Sequence, residues 1–119
     1  MATILVVEDN EASRDALARR LQRRGYDVVL AVDGQQAVSG AQSAQPGLIL
    51  MDLGLPIIGG WEATRLLKAD ASTQHIPIIV LSAHAMTNDR DLALAAGGDE
   101  FDTKPIRFQP LIDKITWLL

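Results

Sequence analysis

Five polar residues that could do chemistry together lie far apart in the sequence, each at the end of a short apolar run or just beyond one. They are Glu8, Asp9, Asp52, Ser82 and Lys104. If the runs are parallel strands, their carboxyl ends meet at one edge of a sheet, where ligands bind in such folds. Each residue alone is ordinary, because an Asp after a strand is usually a loop residue or a helix cap. Together they predict one site made of three carboxylates, a hydroxyl and an ammonium.

Three carboxylates brought close together repel one another, so either they hold protons more tightly or they require a cation. With no Cys in the chain and no cluster of His near these residues, the ligands would all be oxygen atoms. Such a set suits a hard divalent ion, most simply Mg²⁺. Once a metal neutralises part of the charge, one carboxylate can act as a nucleophile towards a phosphoryl group. Lys104 and the Ser82 hydroxyl would then donate hydrogen bonds to the phosphoryl oxygens.

The elements that must position these residues can be inferred from the apolar spacing. Runs rich in β-branched residues predict strands at residues 3–8, 26–31, 48–52 and 76–82, whereas a strand near residues 99–103 has only a weak pattern. Helical spacing predicts helices at residues 10–24, 33–44, 61–69, 87–96 and 110–119. Because strand and helix alternate, we expect a doubly wound α/β fold with a five-stranded, mostly parallel sheet and helices on both faces.

Length and composition narrow the class of protein. With 119 residues, 48% of them hydrophobic, the chain can form one domain over residues 1–119. A net charge of −4 argues against direct binding of nucleic acid by phosphate neutralisation. The chain has no Cys, so disulfides are excluded. We find no signal peptide and no window near the roughly 20 apolar residues of a membrane-spanning helix. We therefore expect a cytoplasmic protein with no membrane contact.

Four segments of the chain resemble the receiver domain of bacterial two-component response regulators, the CheY-like family. ILVVEDN resembles the first strand with its acidic pair, and LILMDLGLP resembles the phosphoacceptor strand and the loop after it. IPIIVLSAHA resembles the strand with the Ser or Thr switch, and GGDEFDTKPI resembles the aromatic, lysine and proline segment. The resemblance covers essentially the whole chain in order and spacing. It implies a flavodoxin-like (βα)5 fold with strand order 2-1-3-4-5.

The resemblance also implies a role for each site residue. Asp52 would accept a phosphoryl group from a histidine kinase or a histidine phosphotransfer protein. Asp9 and Asp52 would bind Mg²⁺ together with the backbone carbonyl of Gly54, and Glu8 would act mostly through water. Mn²⁺ could take the place of Mg²⁺. Lys104 would pair with the phosphoryl group.

In the family, phosphorylation changes a surface used for output. The resemblance implies that the Ser82 hydroxyl moves towards the phosphoryl oxygen while Phe101 turns inward. These movements would remodel the face formed by the fourth helix, fifth strand and fifth helix, and so control a downstream protein partner. Gly54 and His84 occupy positions that tune the rate at which water attacks the phosphoaspartate. The resemblance also allows a weak or phosphorylation-dependent homodimer.

Two other functions compete with this interpretation. An aspartate-dependent phosphatase of external substrates commonly has a second Asp two residues after its nucleophile, but Gly54 occupies that position here. A pseudo-receiver that binds partners without phosphorylation is disfavoured because the full set of site residues is present. We therefore expect a phosphoacceptor that catalyses its own phosphorylation and dephosphorylation, and not a multiple-turnover enzyme.

Overall fold

Five parallel strands form one sheet at the centre of the molecule. The computed structural model describes residues 2–55, 57–82, 91 and 93–119. The strands are β1 Thr3–Val7, β2 Asp27–Ala31, β3 Leu48–Asp52, β4 Ile78–Ser82 and β5 Glu100–Thr103. They pair in the order β2-β1-β3-β4-β5, and every pairing is parallel. The predicted fold and strand order are confirmed.

Helices cover both faces of this sheet. They are α1 Glu11–Arg23, α2 Gly34–Ala44, α3 Gly60–Ala69 and a C-terminal helix, Phe108–Leu118. Half of the fourth predicted helix, at residues 87–96, and the predicted tuning residue His84 lie outside the described residues. Within the part of the chain that the structure describes, no helix combines the length and the apolar character needed to cross a membrane.

Two hydrophobic cores hold the sheet between the helices. In β3, Leu48 and Leu50 pack in one core, whereas Ile49 and Met51 pack in the other. The first core includes Leu17, Leu21, Leu111, Ile112 and Ile115 from α1 and the C-terminal helix. The second includes Ala37, Ala41, Ala63 and Leu67 from α2 and α3. Every residue of β3 and β4 is buried, so the ends of these strands are fixed from both sides.

Polar side chains mark where two of the helices begin. The Asn10 side chain accepts a hydrogen bond from the backbone N–H of Ser13 at 2.9 Å, and Asp33 accepts one from Gln36 at 2.7 Å. Both are therefore cap residues, where the spacing predicted the first helical residues. Gly25, with φ of 92°, follows α1 in the left-handed conformation that favours glycine.

Two neighbouring glycines bring the start of α3 back against the end of β3. Gly59 precedes α3 without a side-chain cap, and its φ of −67° and ψ of 163° suit any residue. A Cβ atom at Gly59 would meet nothing within 4 Å. At Gly60, a Cβ atom would lie 2.3 Å from the backbone oxygen of Asp52. Only Gly60 is therefore required for the close approach between α3 and Asp52.

Substitutions at these two glycines should have effects of opposite sign. Gly59→Asn should raise the free energy of unfolding by about 0.5–1 kcal/mol, because Asn can cap α3 and restricts the unfolded chain. Gly60→Ala should lower it by about 1–3 kcal/mol, because the new methyl group meets backbone atoms that cannot move freely. Urea unfolding of both variants beside the wild type measures this. Changes of the same sign would contradict the roles given to the two glycines.

Candidate functional site

The parallel register places the ends of the strands level with one another at one edge of the sheet. Asp52 pairs with Leu81, Ser82 pairs with Thr103, and Glu8 follows directly after β1. A cleft of about 470 Å³ opens at this edge. It is lined by Glu8, Asp9, Asn10, Ser13, Asp52, Leu53, Gly54, Trp61, Ser82 and Lys104. The structure thus brings together all five residues with which the sequence analysis began.

Three carboxylates form a compact cluster in the cleft. Oxygen atoms of Glu8, Asp9 and Asp52 lie within 4.8 Å of one another. Glu8 and Asp52 are buried, whereas Asp9 is exposed. Gly54, also exposed, is so close that a Cβ atom there would lie 3.9 Å from Oδ2 of Asp52. A donor set made only of oxygen atoms fits a hard divalent cation such as Mg²⁺.

Lys104 supplies the positive charge that faces the two buried carboxylates. Its Nζ atom donates a hydrogen bond to Oε1 of Glu8 at 2.5 Å and lies 3.2 Å from Oδ1 of Asp52. Burial by itself would lower the pKa of Lys104, but the hydrogen bond that its ammonium donates to Glu8 and the charge of Asp52 outweigh this effect, and the pKa is raised. One ammonium against three carboxylates still leaves the cleft negatively charged.

Backbone contacts fix where Lys104 enters the cleft. Its backbone N–H donates to the carbonyl oxygen of Ser82 at 2.8 Å, which continues the pairing of β4 and β5 by one residue. The Lys104–Pro105 peptide bond is cis, a matter that the sequence left open. The hydrogen bond to Ser82 ties the backbone of Lys104 to the end of β4, and the Lys104 side chain reaches across to Glu8 and Asp52.

Two residues that hold Glu8 in place were not predicted from the sequence. The backbone N–H of Asn10 donates to Oε2 of Glu8 at 3.3 Å, and the guanidinium of Arg14 donates to the backbone oxygen of Glu8 at 3.1 Å. Asn10 could have been recognised as the cap of α1. Nothing in the spacing pointed to Arg14, because its partner is a backbone atom six residues earlier.

The two predicted switch residues are both buried. Ser82 ends β4 with 2% of its surface exposed, and it lines the cleft. Phe101 lies in β5 with 6% exposed and packs in the core on the α2 and α3 face. Lys114 of the C-terminal helix donates a hydrogen bond to the backbone oxygen of Phe101 at 2.8 Å. The aromatic residue is thus connected to a helix of the predicted output face.

Comparison with known proteins gives a consistent set of relatives. A family model described as "Response regulator receiver domain" matches residues 4–116. The polar-differentiation response regulator DivK of Brucella anthropi is 34% identical over 113 residues, which cover 95% of this chain and 92% of DivK. Hybrid signal transduction histidine kinase I of Dictyostelium discoideum is 38% identical over 119 residues. That match covers 94% of this chain but only 7% of the kinase.

A solved structure resembles this chain over nearly its whole length. It is the receiver domain of the sensor histidine kinase PA1611 from Pseudomonas aeruginosa PAO1, with a TM-score of 0.90 and 36% sequence identity. The similarity covers 98% of this chain and 97% of that domain. The crystal structure of that domain has a magnesium ion coordinated in its active site cleft.

Removing the Lys104 charge should destabilise the fold. Lys104→Met leaves Glu8 and Asp52 buried without a cation, and should lower the free energy of unfolding in metal-free buffer by about 2–4 kcal/mol. Because the folded-state pKa of Lys104 is raised, its contribution is complete below the ordinary lysine pKa of about 10.4. It is lost as the pH rises through the folded-state pKa. The difference between wild type and variant should therefore narrow above about pH 10.

Lys114→Met is the matched control for this prediction. Lys114 lies 3.7 Å from Asp102, and both side chains are more exposed than those of Glu8 and Asp52. This variant should lose only about 1 kcal/mol. Urea unfolding between pH 7 and the alkaline range measures the free energy of unfolding of both variants. Equal losses would show that Lys104 stabilises the fold no more than an ordinary partly exposed lysine.

Proposed function

The chain belongs to the response regulator receiver domain family, and we propose that its Asp52 accepts a phosphoryl group from a histidine kinase or a histidine phosphotransfer protein in a Mg²⁺-dependent reaction. The observation that carries the proposal is the arrangement at the end of β3. There the buried carboxylate of Asp52 lies beside two further carboxylates, with an ammonium 3.2 Å away. A nucleophile, a place for a cation and a donor for phosphoryl oxygens are thus adjacent.

The donor set of the cleft supports a resident Mg²⁺ ion. Asp9 and Asp52 would hold it with their carboxylates and Gly54 with its backbone carbonyl, while Glu8 would act mostly through water. Mn²⁺, which also prefers oxygen ligands, could replace it. When bound, the ion would reduce the repulsion between the carboxylates and an incoming phosphoryl group.

The proposed transfer forms one bond and breaks one. A carboxylate oxygen of Asp52 attacks the phosphorus of a phosphohistidine, and the P–N bond breaks with its electron pair staying on the imidazole nitrogen. The product is an acyl phosphate on Asp52 and a neutral histidine on the donor, with any proton exchanged with solvent. The ammonium of Lys104 and the hydroxyl of Ser82 would donate hydrogen bonds to the transferred oxygens.

We propose that the output is a contact with a downstream protein through the face formed by the fourth helix, β5 and the C-terminal helix. Ser82 and Phe101 would link the phosphoryl group to that face. The hydrogen bond between Lys114 and the backbone of Phe101 supports such a link. A weak or phosphorylation-dependent homodimer fits the same face, and the net charge of −4 disfavours direct contact with nucleic acid.

The chain is proposed to act on itself and not as a multiple-turnover enzyme. Gly54, two residues after Asp52, has no side chain that could act as an acid or base on an external substrate. The same position leaves a path for water to the phosphoaspartate, so measurable self-dephosphorylation, tuned by Gly54 and His84, is expected.

Phosphorylation is tested with a small phosphodonor and Mg²⁺, followed by intact mass measurement. The wild type should gain the mass of one phosphoryl group, and Asp52→Asn should gain none. Asp33→Asn is the matched control, since Asp33 is also buried but caps α2 and does not line the cleft, and Asn caps as well as Asp. Equal labelling of wild type and Asp52→Asn, or many turnovers of p-nitrophenyl phosphate, would contradict the proposal.

Metal binding is tested by a substitution that should stabilise the fold without metal and destabilise it, relative to the wild type, with Mg²⁺. In EDTA, Asp9→Asn should raise the free energy of unfolding by up to about 1 kcal/mol, because one of three repelling charges is removed. With Mg²⁺ at 100 times its Kd, the wild type should gain about 2.7 kcal/mol and the variant much less. Thermal unfolding with and without Mg²⁺ measures both effects.

Asp27→Asn serves as the control, because Asp27 is exposed at the opposite end of the sheet, at the start of β2. It should respond to Mg²⁺ as the wild type does. An undiminished Mg²⁺ response in Asp9→Asn would remove Asp9 from the metal site.

A further inference from the structure

One residue in the loop after Asp52 has a backbone conformation that its side chain does not favour. Among the described residues, four have a left-handed φ: Gly25, Gly97, Gln45 and Ile57. Two of these are glycines, and Gln45 ends α2, where its side chain donates a hydrogen bond to the backbone oxygen of Ser72 at 3.0 Å. Ile57, with φ of 67°, is the one β-branched residue of the four. Such a residue rarely adopts this conformation.

Folding buries little of the Ile57 side chain, so burial does not offset the strain of its backbone. It is 77% exposed, whereas its neighbours Leu53, Leu55 and Ile58 all pack against the core on the α2 and α3 face. An Asn or a Gly would form the same turn without strain. The loop thus carries an exposed apolar side chain at a position where the fold favours a different residue. Outliers of this kind tend to occur where a residue acts in function.

Ile57 lies in a short loop that connects the cleft to the start of α3. At one end, Leu53 and Gly54 line the cleft, and the backbone N–H of Leu53 donates to the carbonyl oxygen of Leu81 at 3.0 Å. At the other, Gly60 packs against the backbone of Asp52, and the backbone of Ile58 lies so close to Gly34 of α2 that no Cβ atom would fit there. Both ends of the loop are therefore tied to the fold, and the exposed Ile57 side chain lies between them.

We propose that Ile57 is a recognition residue for the protein phosphodonor, contacting an apolar patch beside the donor's phosphohistidine. The inference rests on the proposed function of Asp52. A protein that brings a phosphohistidine into bonding distance of Asp52 must cover the rim of the cleft, including the loop that begins at Leu53. Covering Ile57 then removes its apolar surface from water. A small phosphodonor enters the cleft without needing this contact.

The test compares small and protein phosphodonors on three variants. Ile57→Asn suits the left-handed backbone but removes the apolar group, whereas Ile57→Leu keeps the apolar group. Leu66→Gln, on the exposed face of α3, is the control for loss of an exposed apolar residue elsewhere. The small donor is acetyl phosphate. The protein donor is the histidine-phosphorylated kinase core or phosphotransfer domain that labels the wild-type chain fastest in a purified panel.

Ile57→Asn should raise the melting temperature by about 4 °C, since strain is relieved. It should accept phosphoryl groups from acetyl phosphate at the wild-type rate. With the protein donor its kcat/KM should fall about 10-fold, through KM, because the lost contact helps binding and not chemistry. Ile57→Leu and Leu66→Gln should both use the protein donor within about twofold of the wild type.

An unchanged kcat/KM of Ile57→Asn with the protein donor would overturn the inference, and so would an unchanged or lower melting temperature. A parallel loss with acetyl phosphate would also overturn it, because the defect would then lie in the cleft. If instead the wild type is labelled by neither kind of donor, the proposed function of Asp52 itself fails, and the inference falls with it.

Discussion

The ion pairs of Lys104 with Glu8 and Asp52 are the interaction on which the rest of the cleft depends. Two carboxylates are buried at the end of a sheet whose strands are otherwise apolar, and burying an unpaired charge costs several kcal/mol. The ammonium of Lys104 mainly offsets the cost of burying the two carboxylates and adds little net stability. Since it faces three carboxylates, the cleft keeps a surplus of negative charge. The ammonium can therefore offset the buried charge without a metal, and the remaining negative charge would favour a bound cation.

Rigidity and strain are divided between the strands and the loops. β3 and β4 are buried along their whole length, so the backbones of Asp52 and Ser82 cannot shift without disturbing both cores. The loop after Asp52 instead contains the left-handed backbone of Ile57 and ends at the close approach of Gly60, the first residue of α3. A reacting group benefits from a fixed position, whereas recognition of a partner needs exposed surface. Under the roles proposed for Asp52 and Ile57, adjacent segments of the chain would meet these two requirements.

The sequence predicted which residues meet at the cleft better than it predicted the ends of the elements. Strand β3 was predicted with its observed bounds, because four consecutive apolar residues that end shortly before Gly and Pro are typical of a short buried strand. Strand β4 was predicted to begin at Ile76 but begins at Ile78. Pro77, directly before the strand, has no N–H to donate to the sheet, and Ile76 belongs to the preceding turn, where its N–H donates to the carbonyl oxygen of Thr73 at 3.0 Å. Nζ of Lys68 also donates to the backbone oxygen of Ile76 at 2.8 Å, a contact that the apolar pattern does not predict.

The same limit applies inside the cleft. Spacing brought Lys104 to the correct edge, but its pairing with Glu8 depends on 96 residues of intervening chain. It also depends on the register of β4 and β5, which places the backbone of Lys104 against Ser82. Lys104 thus joins the acidic cluster to the ends of two strands. A phosphoryl group on Asp52 would compete with Glu8 for the Lys104 ammonium, so a change of charge in the cleft would act directly on β5 and on the buried Phe101.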